Sequence, residues 1–205
     1  MALRKEKVKE NENMETKVDV IEWDGKTLDD LEDEMEVPEV DVAPRIKVDQ
    51  GSLVTSEGDE LGTEIKGEIL SWSKLYVAST NASDAEARKL TRYTYDPDIV
   101  IPDWEDPDTT MTADEYVDHL KEQGYEKAKV KIYYEVIIMT EDDEIMVCQL
   151  SPQSVKGFQL FKAMTNKKLK NGKMTMDEAT RVKIVAKKAK LGKFNFTKMV
   201  FSNAS

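Results

Sequence analysis

From Arg181 to Lys190 the chain alternates with a period of two, R-V-K-I-V-A-K-K-A-K, and after Gly192 it resumes as K-F-N-F-T-K-M-V-F. Such alternation sends successive side chains to opposite faces of a strand, and a glycine between two such runs marks a hairpin. The segment must therefore belong to a sheet, and it brings an unusual charge with it. Between Lys156 and Lys198 thirteen Lys/Arg stand against only Asp177 and Glu178, a local charge of +11 in a chain of formal net charge −11, so the remainder carries −22. Lysines held on a sheet and interleaved with aromatics attract phosphates and offer rings to unpaired bases, which predicts a nucleic-acid strand as partner.

The 205 residues allow one domain of roughly 100–150 residues with a tail or insertion. A single cysteine, Cys148, and a single histidine, His119, leave no disulfide framework and no cysteine- or histidine-rich zinc site to expect. No apolar run approaches the ~18 residues of a membrane span, and M-A-L-R-K-E-K-V-K-E lacks the apolar core of a signal peptide. A cytoplasmic protein without a membrane partner is the expectation.

Residues 1–44 read as a mostly disordered segment. From Asp19 to Asp41 eleven acids face the single base Lys26, a density of like charge that opposes a core. Val20, Ile21, Trp23, Leu28, Leu31 and Met35 stand among those acids, so the segment is either a solvated linker or a docking peptide for a partner.

Residues 45–205 read as the folded domain. A long strand runs from about Glu64 to Ser79, with Ile65, Ile69, Leu75 and Val77 expected on the core face and Lys66, Trp72, Lys74 and Tyr76 on the other. Residues from about 80 to 127 form an insertion whose D-P-D-I-V-I-P-D-W-E-D-P-D stretch excludes a central strand or helix. Thr112 with Glu115 makes a capping box for a short helix that ends at Gly124.

A second strand from Lys129 to Met139 puts Val130, Ile132, Tyr134, Val136 and Ile138 inward and Lys129, Lys131, Tyr133 and Glu135 outward. The turn T-E-D-D-E leads to I-M-V-C-Q-L. Ser151-Pro152 starts a helix carrying Val155, Phe158, Phe161 and Met164, which stops at Asn171-Gly172. Three strands, a helix and a closing hairpin give a mainly β fold, a five-stranded OB-like barrel with one helix and a long insertion between its first two strands. An α+β sheet covered by one helix is the alternative.

The outward residues define the candidate binding face: Trp72, Lys74 and Tyr76 from the first strand, Lys129, Lys131 and Tyr133 from the second. Arg181, Lys183, Lys187, Lys188, Lys190 and Lys193 complete it from the hairpin. Lysines supply a sequence-blind attraction to phosphate, and stacking on aromatic faces, about 1–3 kcal/mol per base, requires unpaired bases. Phe194 and Phe196 are expected in the core, since the last strand of a barrel needs large inward groups.

No catalytic constellation stands out. The D-x-D and E-D-D-E groups sit in turns where acids are ordinary, His119 has no nucleophile beside it, and Gly172-Lys173 lacks the spaced glycines of a phosphate loop. Cys148 alternates with Met146 and Leu150 and reads as a small apolar core group. No cofactor is implied.

The run Asp59-Glu-Leu-Gly-Thr-Glu-Ile-Lys-Gly-Glu-Ile-Leu70, the helix start Leu150-Ser-Pro-Gln-Ser-Val-Lys-Gly-Phe158, and the basic hairpin ending in Phe194–Phe201 resemble phage-encoded single-stranded DNA-binding proteins of OB-fold type, over roughly residues 45–203. The resemblance implies a non-catalytic coat on replication or recombination intermediates. Many such proteins recruit replication or recombination proteins through an acidic C-terminal tail; here the acids stand at 19–41, which moves that implied role there. The competing expectation is a protein-interaction module, or a DNA mimic that uses the acidic segment to occupy another factor.

Overall fold

The computed structural model describes residues 24–32, 43–103 and 105–204. Its strands are β1 (Arg45–Asp49), β2 (Ser52–Thr55), β3 (Glu60–Gly62), β4 (Glu64–Ser79), β5 (Arg92–Thr94), β6 (Lys129–Thr140), β7 (Ile145–Leu150), β8 (Arg181–Leu191) and β9 (Phe194–Asn203). Its helices are α1 (Ala85–Lys89), α2 (Ala113–Glu122), α3 (Pro152–Lys170) and α4 (Met176–Thr180), and a 3-10 turn covers Leu28–Leu31. The fold is mainly β. One sheet runs in the order β3-β2-β1-β7-β6-β4-β8-β9, with β5 added on β4.

Nine strands stand where the sequence suggested five. Three of the additions, β1 to β3, come from short alternations punctuated by turns, and β5 lies inside the insertion. The sheet curls because β4 serves two halves of it: Glu64–Glu68 pair with β8, and Gly67–Ser79 pair with β6. Gly67 stands in both ladders, where a side chain would run into the Met139 carbonyl. On the far side the β1–β2 turn, with Gln50 at φ 44° and Gly51 at φ 106°, comes up against the Lys188 side chain of β8.

The principal core lies between this curled sheet and α3. Ser151 caps α3 by accepting from the Ser154 N–H at 3.4 Å, with Pro152 in the first turn where no N–H is needed. The helix buries Val155, Phe158, Phe161 and Leu169, while Met164, expected on the same stripe, is exposed. Trp72 stacks on Tyr134 with centroids 5.3 Å apart, and Phe158 meets both rings edge-on at 6.0 and 6.2 Å. Phe201 of β9 completes the cluster 5.0 Å from Phe158.

This arrangement corrects the phase read for β4. Ile69 pairs with Ile138 and Ser71 with Ile137, so Leu70 is an extra residue, a β-bulge. One added residue reverses the facing of everything after it. Ile69 and Trp72 consequently share the core, Trp72 being 1% exposed, whereas Leu75 and Val77 turn to the opposite face. On β6, Ile132 is exposed although it shares the inward side with Tyr134, and Glu135 is buried on the opposite side, where Ala43 and Tyr95 pack against Ile137 and Val147; both differ from expectation.

The insertion makes a small core of its own. The Thr112–Glu115 capping box closes in both directions, and the N–H and hydroxyl of Thr112 hold the Glu115 carboxyl below its usual range. Tyr116, Val117 and Leu120 of α2 pack with Ala78, Val100, Ala113 and Ala128. The Arg92 guanidinium ties the proline-rich loop down by donating to the carbonyls of Lys89 at 2.7 Å, Ile101 at 3.0 Å and Pro102 at 2.7 Å.

The expectation of a mostly disordered segment over 1–44 fails for residues 24–32. Leu28 is 1% exposed and belongs to the principal core. Its N–H donates to Asn166 Oδ1 at 2.9 Å and its carbonyl accepts from Trp72 Nε1 at 2.8 Å. Asp29 accepts from Lys162 Nζ at 2.9 Å and Asn166 Nδ2 at 2.7 Å, and Glu32 pairs with Lys74. Acid density did not prevent docking because bases on α3 and β4 neutralise the acids as the leucine buries. Trp23, Met35 and the rest of 1–23 and 33–42 lie outside the described residues.

Candidate nucleic-acid interface

The β8–β9 hairpin is built to project. Its ladder with β4 ends at Val185↔Glu64, yet its own pairing continues to Leu191↔Phe194. Beyond Ala186, whose N–H donates to the Thr63 carbonyl at 2.9 Å, β8 has no ladder partner but β9 among the described residues. Gly192, at φ 60°, supplies the positive φ that a two-residue hairpin loop requires.

Residues directly opposite in an antiparallel ladder share a face. Lys187↔Lys198, Ala189↔Phe196 and Leu191↔Phe194 make one face of the ribbon; Lys188↔Thr197 and Lys190↔Asn195 make the other. The second face, with Gln50 of the β1–β2 turn, lines an open groove of about 620 Å³ that Phe196 also borders. Like-charged Lys187 and Lys198 placed directly opposite repel each other, an arrangement that an anion relieves. Among the described residues, Lys187, Lys188, Lys190, Lys193 and Lys198 have no carboxylate within ion-pair distance.

Phe194 is 79% exposed and Phe196 is half-buried, which corrects their expected place in the core. The inward positions of β9 fall to Met199 and Phe201 instead. Phe194 lies past the point where the ribbon leaves the body of the sheet, so there is no core for it to enter. It is the aromatic that sequence reasoning missed on the basic surface, and its position beside Gly192 was the available signal.

The other expected site residues divide into separate groups. Trp72 is a core ring, covered by the Lys162 ammonium 3.3 Å from its centroid, and is no outer platform. Lys74 lies 5.9 Å from the same ring and is paired with Glu32, whose carboxylate raises the Lys74 pKa. Tyr76 is half-buried on the same side of β4. Arg181 pairs with Asp177 at 2.9 Å and Lys183 with Glu64, so both are neutralised at the base of the hairpin.

Lys129, Lys131 and Tyr133 stand far from the hairpin. Lys131 is opposite Val77 of β4 while Val185 is opposite Glu64, a separation on the order of 40 Å along an extended strand. Lys131 donates to Asn81 Oδ1 at 2.8 Å. The structure thus gathers Lys187, Lys188, Lys190 and Lys193 at one end and places the β6 residues near the insertion at the other.

Among the described residues no group of His, Cys, Asp and Glu is arranged to hold a metal ion, and no helix is long and apolar enough to cross a membrane. Burial pushes the Cys148 thiol up to about 12, far from a reactive thiolate. No family model, curated protein or solved structure matches this chain.

Proposed function

We propose that this is a non-catalytic, largely sequence-independent single-stranded DNA-binding protein, acting in the cytoplasm on replication or recombination intermediates, as the resembled phage-encoded proteins do. One observation carries the reading: five lysines without carboxylate partners among the described residues stand on the same two-stranded ribbon as an exposed phenylalanine, Phe194. Phosphates satisfy the lysines by releasing counterions, and Phe194 offers a ring to a base only if that base is unpaired.

The strand connections support an OB-type barrel at the centre of the sheet. β4, β6 and β7 form an antiparallel meander, α3 follows, and β8 and β9 return as a hairpin with β8 pairing back on β4. β1 extends the sheet beyond this meander by pairing parallel with β7. Barrels of this type hold single strands across a meander face and the loops at its rim.

The test is a fluorescence titration with labelled single-stranded and duplex oligonucleotides over a series of salt concentrations. The affinity for single strands should fall linearly on a log–log salt plot, with a slope near −0.7 per phosphate contact. A salt-independent response, or tighter binding of duplex, overturns the reading.

A further inference from the structure

Glu135 is 1% exposed, yet it lines an open pocket of about 370 Å³ on the outer face of β6, together with Arg45, Leu75, Tyr93, Tyr95 and Gln149. A pocket of this size is large enough for a small planar ligand. Its polar centre is loosely held. Glu135 Oε2 accepts from the Tyr95 hydroxyl at 2.7 Å, while Oε1 is reached by Gln149 Nε2 at 3.4 Å and Arg45 Nε at 3.5 Å. N–H donors ordinarily approach to about 2.7–3.2 Å, and a carboxylate offers about four acceptor positions. Tyr95, Gln149 and Arg45 take three of them, so a ligand with two donors fills the fourth and displaces one of the two long contacts at Oε1. Ser73, opposite Glu135 in the ladder and thus on the same face, is buried with its hydroxyl unpartnered. Tyr93, 61% exposed, stands at the pocket as a ring open to solvent.

An acceptor-only group at the bottom of a pocket beside an aromatic ring selects a flat ligand with adjacent N–H donors on one edge. Of the four DNA bases only guanine carries two neighbouring donors, N1–H and the N2 amino group, on its Watson–Crick edge. Cytosine and adenine set a ring-nitrogen acceptor beside their amino group, and thymine flanks its one N–H with carbonyls, so each would turn a lone pair toward the carboxylate. Unpaired bases are read in this way, on that edge, with the ring stacked on an aromatic.

We propose that this pocket receives an unpaired guanine of a bound strand, its N1–H and N2–H donated to Glu135 and its ring stacked on Tyr93. This rests on the single-strand reading above and adds a local base preference to an otherwise sequence-blind contact. Fluorescence anisotropy on the full chain tests it with a short labelled oligothymidylate and copies carrying one central deoxyguanosine, deoxycytidine, deoxyadenosine or deoxyinosine. Deoxyguanosine should tighten binding on the order of tenfold over thymidine. Deoxyinosine, which keeps N1–H and lacks the amino group, should recover only part of that gain.

Glu135→Gln should bring the guanine-to-thymine ratio close to one. Because Glu135 is buried, Tyr93→Ala serves as the second variant, on an exposed side chain outside the core, and should lower the same ratio. Binding of oligothymidylate with no preference for deoxyguanosine, or a preference that survives both substitutions, overturns the guanine pocket and leaves the single-strand reading standing. Failure to bind any of these single strands overturns both.

Discussion

The indole N–H of Trp72 donates to the main-chain carbonyl of Leu28 at 2.8 Å, joining a strand of the sheet to an acidic turn 44 residues earlier in the chain. The ring beneath is stacked on Tyr134 and capped by Lys162. Trp72→Ala should therefore cost about 3–5 kcal/mol of stability, as removal of a large buried aromatic does. Urea denaturation would show it as a lower midpoint. Single-strand affinity per folded molecule should remain unchanged, which separates a core ring from a stacking platform.

Phe194 should behave in the opposite way. Its ring is solvent-exposed at the tip of the ribbon, so Phe194→Ala should leave the melting temperature within about a degree or two while weakening single-strand binding by about 1–3 kcal/mol. Substituting Lys187, Lys190 and Lys193 together by Gln should flatten the salt dependence by about 0.7 for each phosphate contact removed. A large loss of stability in either variant would show that the hairpin tip is structural.

Asp29 and Glu32 place carboxylates on Lys162 and Lys74, where a phosphate backbone would otherwise be attracted. Converting both to their amides should raise single-strand affinity at low salt, with the difference shrinking as the Debye length falls from ~30 Å towards 3 Å. Deletion of residues 1–44 should raise affinity too, but it also removes Leu28 from the core. Circular dichroism melts should accordingly show a loss of about 2–5 kcal/mol for the truncation, and a loss for the amide pair as well, because Asp29→Asn leaves the buried Lys162 ammonium without its carboxylate.

Cys148 gives the alkaline limit. Its thiol is raised to about 12 in the fold by burial, whereas in the unfolded chain it ionises near 9, the ordinary value for cysteine. The folded state therefore holds the proton more tightly, and the contribution to stability is complete below pH 9 and declines as pH rises towards 12, by about 1.4 kcal/mol per unit. Iodoacetamide should label Cys148 in denaturant and leave the native protein unmodified at pH 8.

Much of this fold was written in local patterns. Ser151-Pro152, the Thr112–Glu115 box and the glycine at 192 each act over a few residues, and each stands where its chemistry requires. What was illegible depended on longer relations. The bulge at Leu70 has no side-chain signature, and it alone moved Trp72 from the outer face to the core. The basic hairpin could be read from its lysines, but which of them were neutralised depended on Asp177 and Glu64 arriving at its base. The Glu135 pocket could not be foreseen, since its residues come from five separate strands and the chain leading out of β5, and meet only when the sheet is assembled.

The extra residue in β4 also makes the gene sensitive to length at that point. Loss of the Leu70 codon alone would leave the reading frame intact and the composition almost unchanged, yet it would rotate Trp72 outward and Leu75 inward across the whole second half of the strand. A compensating residue inserted before Trp72 would restore the facing. Small in-frame insertions and deletions along β4 should thus be tolerated only in such pairs, whereas the turn at Gly58, which lies between short strands and where a side chain would meet no neighbour, can accept them singly.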